Sequence, residues 1–238
     1  MFPYDAQLAA ATAAQPSSIS DVLRLMQTID NTCVDGDGLK WFNWIYLQVT
    51  AAVENRVATG GFNDPAWLAE LDVQFAKLYF NALRNTLTGA TCPDCWEAMF
   101  SCREQNRIAR IQFALAGMNA HINHDLPLAV IATSKVTNTA PQHGTVQYDD
   151  YTNLNTTLDG LIDTAKRTLN VRLLGDPLPA VSHLEDLIAA WNMAAAREQA
   201  WNTAESLWQD SASAASVVMN AMDGLTTVIG KALLVPVP

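Results

Sequence analysis

IARIQFALAGMNAHINHDLP, residues 108–127, is the stretch that decides the fold. Ile111, Phe113, Ala114, Leu115, Ala116, Gly117, Met118, Ala120 and Ile122 leave a helix over Ile108–Ile122 almost no polar face. A helix that is apolar all round belongs at the centre of a protein, because no side of it can face water cheaply. The stretch therefore predicts an all-α, single-domain bundle built around this buried central helix. Its end, Asn123-His124-Asp125-Leu126-Pro127, reads as a helix break, with a short helix continuing to about Ala132.

On either side the chain keeps helical periodicity. Ser18-Ile19-Ser20-Asp21 resembles a capping box and opens a helix to about Ile29, and Asn31–Gly38 reads as a loop. Phe42, Ile45, Tyr46, Val49 and Val53 mark one face of a helix over Leu39–Val57. Asp64-Pro65 supplies an N-cap and a first helical residue, Leu68, Leu71, Phe75, Leu78, Tyr79 and Ala82 trace the buried stripe, and Gly89 ends it. A short helix after Cys92 carries Trp96, Met99 and Phe100. Thr133–Thr145 is polar, holds Pro141 and Gly144, and is expected to be the longest loop. Leu154, Leu158, Leu161, Ile162, Ala165 and Leu169 mark a further helix, and Gly175–Pro179 a turn. Ser182-His183-Leu184-Glu185 is a capping box for a long helix to Trp208, and a last helix spans about Ala214–Leu234. The count is about eight or nine helices, with no alternating β segment and no internal repeat. Residues 1–16, Ala-rich between Pro3 and Pro16, read as a loose N-terminal arm, and 17–238 as the helical domain.

Composition narrows the function. Charged residues make up 16% of the 238, below the ordinary share of about 25%. Half of the chain is apolar, enough for a large core, and some of that surface suits burial between two copies in a homodimer. A net charge of −10 and no run of Lys or Arg argue against nucleic acid and against an anionic membrane surface. There is no secretory signal at Met1–Asp5 and no apolar window of about 18 residues, so a cytoplasmic location is expected. Four cysteines do not make a disulfide scaffold. Cys92-Pro93-Asp94-Cys95 has redox spacing but no preceding strand, and a zinc site would want a second pair or histidines at ligand spacing, so incidental spacing is the better reading.

Chemistry concentrates in the opening stretch. Asn119, His121, Asn123 and Asp125 lie on or beside the most buried helix, where an unpaired amide costs roughly 2–7 kcal/mol. His121 and Asp125 are four apart, as are Asn119 and Asn123, so each pair shares a helix face. A histidine beside a carboxylate can be a tuned general base, or can supply two ligands to a divalent metal completed by other helices. The structural alternative is equally well supported by spacing: Asp125 as an N-cap before Leu126-Pro127, the asparagines bonded to backbone, His121 a satisfied core residue. His124 is expected to be exposed. Asp72 borders an apolar face with Leu68, Phe75 and Tyr79 and is a second carboxylate that could orient His121. Asn43 sits among Trp41, Phe42 and Trp44; Arg197 and Glu198 lie between Trp191 and Trp201, where salt bridging accounts for them. Asp149-Asp150 suits a helix N-terminus, and Asp149–Asn153 lacks the last acid of the metal motif of helical terpenoid synthases.

Ala116–Pro127 resembles the hallmark A-G-M-N-A-H-I-N-x-D-L-P of a bacterial and fungal family whose domain has no assigned function. The resemblance extends to Gly38–Asn43 with Tyr46, to Leu71–Ala76 with Tyr79, and to Ala196–Trp201, covering about residues 20–210. It implies an all-helical fold and brings no reaction with it. The arm and the Cys92/Cys95 pair look like local additions.

No G-x-S-x-G, P-loop, G-x-G-x-x-G or H-E-x-x-H is present, which removes the usual serine hydrolases, nucleotide kinases, dinucleotide oxidoreductases and zincins. The leading expectation is an enzyme for a small, largely apolar or carbonyl-bearing molecule. His121 would be acid or base, Asp125 or Asp72 would orient it, and Asn119 and Asn123 would bond the substrate or an oxyanion. The rival is a non-catalytic helical module that binds a ligand or a partner chain and uses the cluster as a packing network. Convergence on a concave pocket favours the first; complete pairing without a cavity favours the second.

Overall fold

A computed structural model of the chain describes residues 1–173, 192–210 and 212–236. The elements are α1 (Asp5–Ala11), α2 (Ile19–Thr32), α3 (Gly38–Ala58), α4 (Pro65–Thr88), α5 (Asp94–Phe100), α6 (Arg110–Ala120), a π-helical segment (His121–Asp125), α7 (Leu126–Thr137), α8 (Val146–Leu173), α9 (Met193–Gln209) and α10 (Ala212–Leu233). Because α6, the π segment and α7 run on without interruption, the described residues form nine helical rods and no strand. None of these helices is long and apolar enough to cross a membrane.

Local chemistry sets the ends. Ser18 accepts from the Asp21 N–H, Asp37 from the Leu39 N–H and Asp64 from the Trp67 N–H, each satisfying an orphan donor of a first turn. Gly89, at φ 73°, closes α4 in the left-handed conformation that glycine adopts freely. The stretch Thr133–Thr145 is not wholly loop: α7 continues to Thr137, and Asn138 at φ 54° turns the chain out, leaving 138–145 as the connection. The helix expected from Ser182 to Trp208 is not one uninterrupted rod. Asn192 is extended and its side chain accepts from the Ala195 N–H, so a new helix starts at Met193. The turn at Gly175–Pro179 and the box at Ser182–Glu185 lie outside the described residues.

The central helix is as the sequence requires: every residue from Ile111 to Ala120 is buried. α6 packs on α3 and α10, α7 on α4 and α9, and the π segment touches α4, α9 and α10. The expected break is instead a widened turn. The Leu126 N–H donates to the His121 carbonyl five residues back, and Pro127 follows with no N–H to give. The helix keeps going because neighbours on all sides bury it, where an isolated chain would stop.

The N-terminal arm is not loose. α1 is docked, with Leu8 fully buried. Arg103 makes two hydrogen bonds to Asp37 (3.0 and 2.8 Å) and one to Asp5 (2.7 Å), while the Tyr4 hydroxyl donates to Asp37 (3.0 Å). A guanidinium this deeply buried needs paired carboxylates, and Asp5 of the arm is one of them.

α3 and α6 approach closely by a reciprocal device. Gly38 of α3 lies against the Phe113 ring of α6, and Gly117 of α6 lies against the Phe42 ring of α3. A Cβ at either glycine would come within 2.4 Å of the facing ring, closer than any real contact. Gly117→Ala is expected to lower stability by about 1–3 kcal/mol, the cost of overpacking a filled core. Phe42→Leu in the same chain should recover part of it. Urea unfolding of the three proteins checks this, and a single variant as stable as the parent would show that the two helices can separate freely.

Candidate functional site

The π segment carries the chemistry. One side chain per turn is displaced from the α register there, which turns His121, His124 and Asp125 all inward. Asp125 has helical backbone angles and no capping bond, so it is not an N-cap. Its carboxylate instead collects three donors: His121 Nδ1 (3.0 Å) and Trp96 Nε1 (2.9 Å) on Oδ2, and His124 Nδ1 (2.8 Å) on Oδ1. Burial alone would raise the Asp125 pKa, but the bonds from His121 and His124 outweigh it and hold the group below the usual carboxylate range. An ionised carboxylate only accepts, so both imidazoles carry hydrogen on Nδ1.

His121 is the member that faces a void. Burial pushes its pKa down more strongly than Asp125 lifts it, so the ring is neutral and Nε2 keeps its lone pair. That nitrogen is buried and has no hydrogen-bond partner among the described residues. Phe75 stacks on the imidazole face, centroids 3.4 Å apart and planes 5° apart, and Tyr46 stands edge-on at 4.4 Å. Only the ring edge is left for a reactant.

Beside it lies a cavity of about 70 Å³. Its wall is mostly apolar, with Leu68, Leu71, Met118, Leu126, Leu158 and Met193 among the side chains, and its polar members are Tyr46, Asp72, His121 and Arg197. Asp72 Oδ2 is also buried without a partner among the described residues. Burial, and then the charge of Glu54, pushes the Asp72 pKa up to about 8. Asp72 is therefore a neutral acid at pH 7, with a proton to donate.

The remaining sequence candidates separate from this group. Asn119 and Asn123 do not line the cavity. Asn119 donates to the Thr226 carbonyl of α10 (2.9 Å) and accepts from Asn123 Nδ2 (2.9 Å), so the pair fastens α6 and the π segment to α10. Asp125 and Asp72 act from different places: Asp125 holds His121 from behind, and Asp72 shares the cavity wall. His124 is buried, contrary to expectation, because Asp125 holds it inside. Asn43 bonds the Met26 carbonyl and the Tyr79 hydroxyl. Asp150 receives the Asn63 and Asp64 N–H groups ahead of α4, a structural use. Glu198 bonds His143 and Tyr148, whereas Arg197 bonds Asn155 and the Tyr151 carbonyl while lining the cavity. Tyr46, Phe75 and Trp96 escaped the candidate set because apolar stripes at helical spacing give no sign of which aromatic meets a histidine.

The fold and this turn define an all-helical protein in which a π-helical segment places a histidine, held from behind by an aspartate, on the wall of an apolar cavity. The chain belongs to a family of unknown function (DUF5995), which it matches over residues 19–236, from α2 onward. No curated protein and no solved structure matches it.

Two outcomes follow for stability. Asp125→Asn strands ring N–H groups in the core and is expected to lose about 3–5 kcal/mol, measured by urea unfolding. Asp72 acts through pH. Its raised pKa means that the native state keeps a proton which the unfolded chain releases near pH ~4. Its stabilisation is complete below that pH and is lost as pH rises through about 8. Asp72→Asn should flatten this decline in a series of unfolding curves from pH 4 to 9; an unchanged slope would show that Asp72 titrates normally.

Proposed function

We propose that the chain is an enzyme for small, largely apolar, carbonyl-bearing molecules, with His121 as general base and Asp72 as the acid that polarises the carbonyl. One observation carries the reading: His121 Nε2 and Asp72 Oδ2 are buried, lack partners among the described residues, and belong to residues on one apolar cavity. Buried polar atoms persist unpaired only at a cost, and a ligand that supplies their partners removes it.

The two groups have pKa values displaced in opposite directions, which is how one site holds a base and an acid at the same pH. With a carbonyl compound in the cavity, Nε2 takes a proton from the carbon next to the carbonyl. The C–H pair becomes a C=C bond, and the carbonyl pair moves onto oxygen, where the Asp72 O–H donates to it. Asp125 stabilises the imidazolium that forms. The imidazolium proton exchanges with solvent, and reversal then returns a solvent-derived hydrogen to the same carbon, giving exchange. The cavity is roughly half the size of the ~150 Å³ engineered cavity that holds benzene, so it suits a molecule or reactive end of a few non-hydrogen atoms.

The test is deuterium uptake from solvent at the α-carbon of small ketones and aldehydes, followed by proton NMR. The protein is expected to speed exchange over buffer, and His121→Gln to lower the rate by about 10²–10⁴. The rate should rise with pH as His121 loses its proton, below the ordinary histidine range, and fall near pH 8 as Asp72 ionises. A panel that shows no exchange above buffer, with folded protein, would sink the proposal and leave the cluster as a packing network.

A further inference from the structure

We propose a second site: Cys95 Sγ, His124 and Asp223 bind a zinc ion at the junction of α5, the π segment and α10. One ligand atom from each of these three residues lies within 4.8 Å of the other two. His124 Nδ1 is committed to Asp125, so Nε2 is the nitrogen left to ligate. Zinc with bonds of about 2.0–2.3 Å holds such atoms roughly 3.3–3.8 Å apart, so the trio needs to close by at most about 1.0–1.5 Å. Thiolate, imidazole and carboxylate together suit zinc, and three protein ligands leave a fourth position open.

The surroundings are built as supports of a metal site are built. Asp125 fixes the His124 ring through Nδ1, giving the carboxylate–histidine pair that orients a ligating imidazole. The Asp223 carboxylate is fixed by the N–H groups of Asp94 (3.0 Å) and Cys95 (2.9 Å). Cys95 and His124 are buried, and Asp223 is half-buried, which gives an entry path from α10. Cys92, three residues before Cys95, points elsewhere: its thiol lies 3.6 Å from the Ala82 carbonyl. The competing account is that Asp223 does no more than hold the first N–H groups of α5. Extended by the hydrogen bond between the Cys95 thiol and Asp223, it explains those two groups but not why a buried imidazole meets them.

Binding exchanges one proton for one metal bond: Cys95–SH and Zn²⁺ give Cys95–S–Zn⁺ and H⁺, the proton leaving to solvent. Because Asp125 also holds His121, the ion would lie one carboxylate away from the cavity histidine.

The experiment titrates the reduced, full-length, metal-stripped protein with Co²⁺ alone and then displaces it with Zn²⁺. Expected are one ion per chain, thiolate-to-cobalt absorption in the near ultraviolet, micromolar or tighter zinc affinity, and a thermal midpoint that rises with zinc. Cys95→Ser should abolish the thiolate band, and Asp223→Asn, which keeps an acceptor for α5, should weaken binding at least tenfold while the protein stays folded by circular dichroism. Cys92→Ser should bind as the parent does. No stoichiometric binding, a thiolate band that survives Cys95→Ser, or loss of binding in Cys92→Ser but not in Asp223→Asn would each overturn the assignment.

Discussion

A carboxylate buried in an apolar core must be met by donors, and Asp125 is the group on which the arrangement turns. Removing it from water without partners would cost several kcal/mol, so its three donors are obligatory. Each fixes an element: Trp96 positions α5, and His121 and His124 lock the π segment. α5 is in turn fastened to α10 by Asp223, so one charge organises three neighbouring pieces of chain. The same charge divides two chemically identical rings into two roles. His121 lines an apolar cavity, and His124 lies beside a thiol and a second carboxylate.

Close approach of α3 and α6 makes this possible. The glycine–phenylalanine contacts let Phe42 reach across to the Tyr79, Trp96 and His121 rings, so the imidazole is enclosed by aromatic edges and by the stacked Phe75. That enclosure keeps water from His121 and depresses its pKa, while the carboxylate behind it fixes the tautomer. Packing and electrostatics therefore act on one ring in opposite directions, and packing wins.

How much of this could be read in the sequence depends on the range of the interaction. Helices and their starts were legible because caps act within three residues, as at Ser18 and Asp64. The buried centre was legible because ten successive residues, Ile111 to Ala120, have no polar stripe. The His121–Asp125 pair followed from four-residue spacing, and Asn119–Asn123 likewise. What those pairs face did not follow, because Asn119 is satisfied by Thr226, 107 positions away, and no local rule reports it. Cys95 looked idle for the same reason: its neighbours His124 and Asp223 come from other helices. Pro127 suggested a break because proline removes one bond of an isolated helix, whereas here the surrounding helices hold the chain on course. The arm looked loose because its anchor, Arg103, lies 98 residues from Asp5.

The π segment also has a meaning for length. A π turn closes over one more residue than an α turn, so His121–Asp125 behaves as a single-residue insertion lodged inside an otherwise regular rod. Successive residues of an α-helix are set about 100° apart. Deleting one residue here would restore a regular α turn and leave α7 at nearly its present angle to α6, because the widened turn absorbs its extra residue within one lap; the same deletion inside α7 would rotate everything beyond it by the full step. Ala129, Val130 and Thr133 would keep their buried face, and the change would fall on the turn that holds His121, His124 and Asp125. The extra residue therefore serves the side chains of the turn, while the two halves of the rod hold their register with or without it.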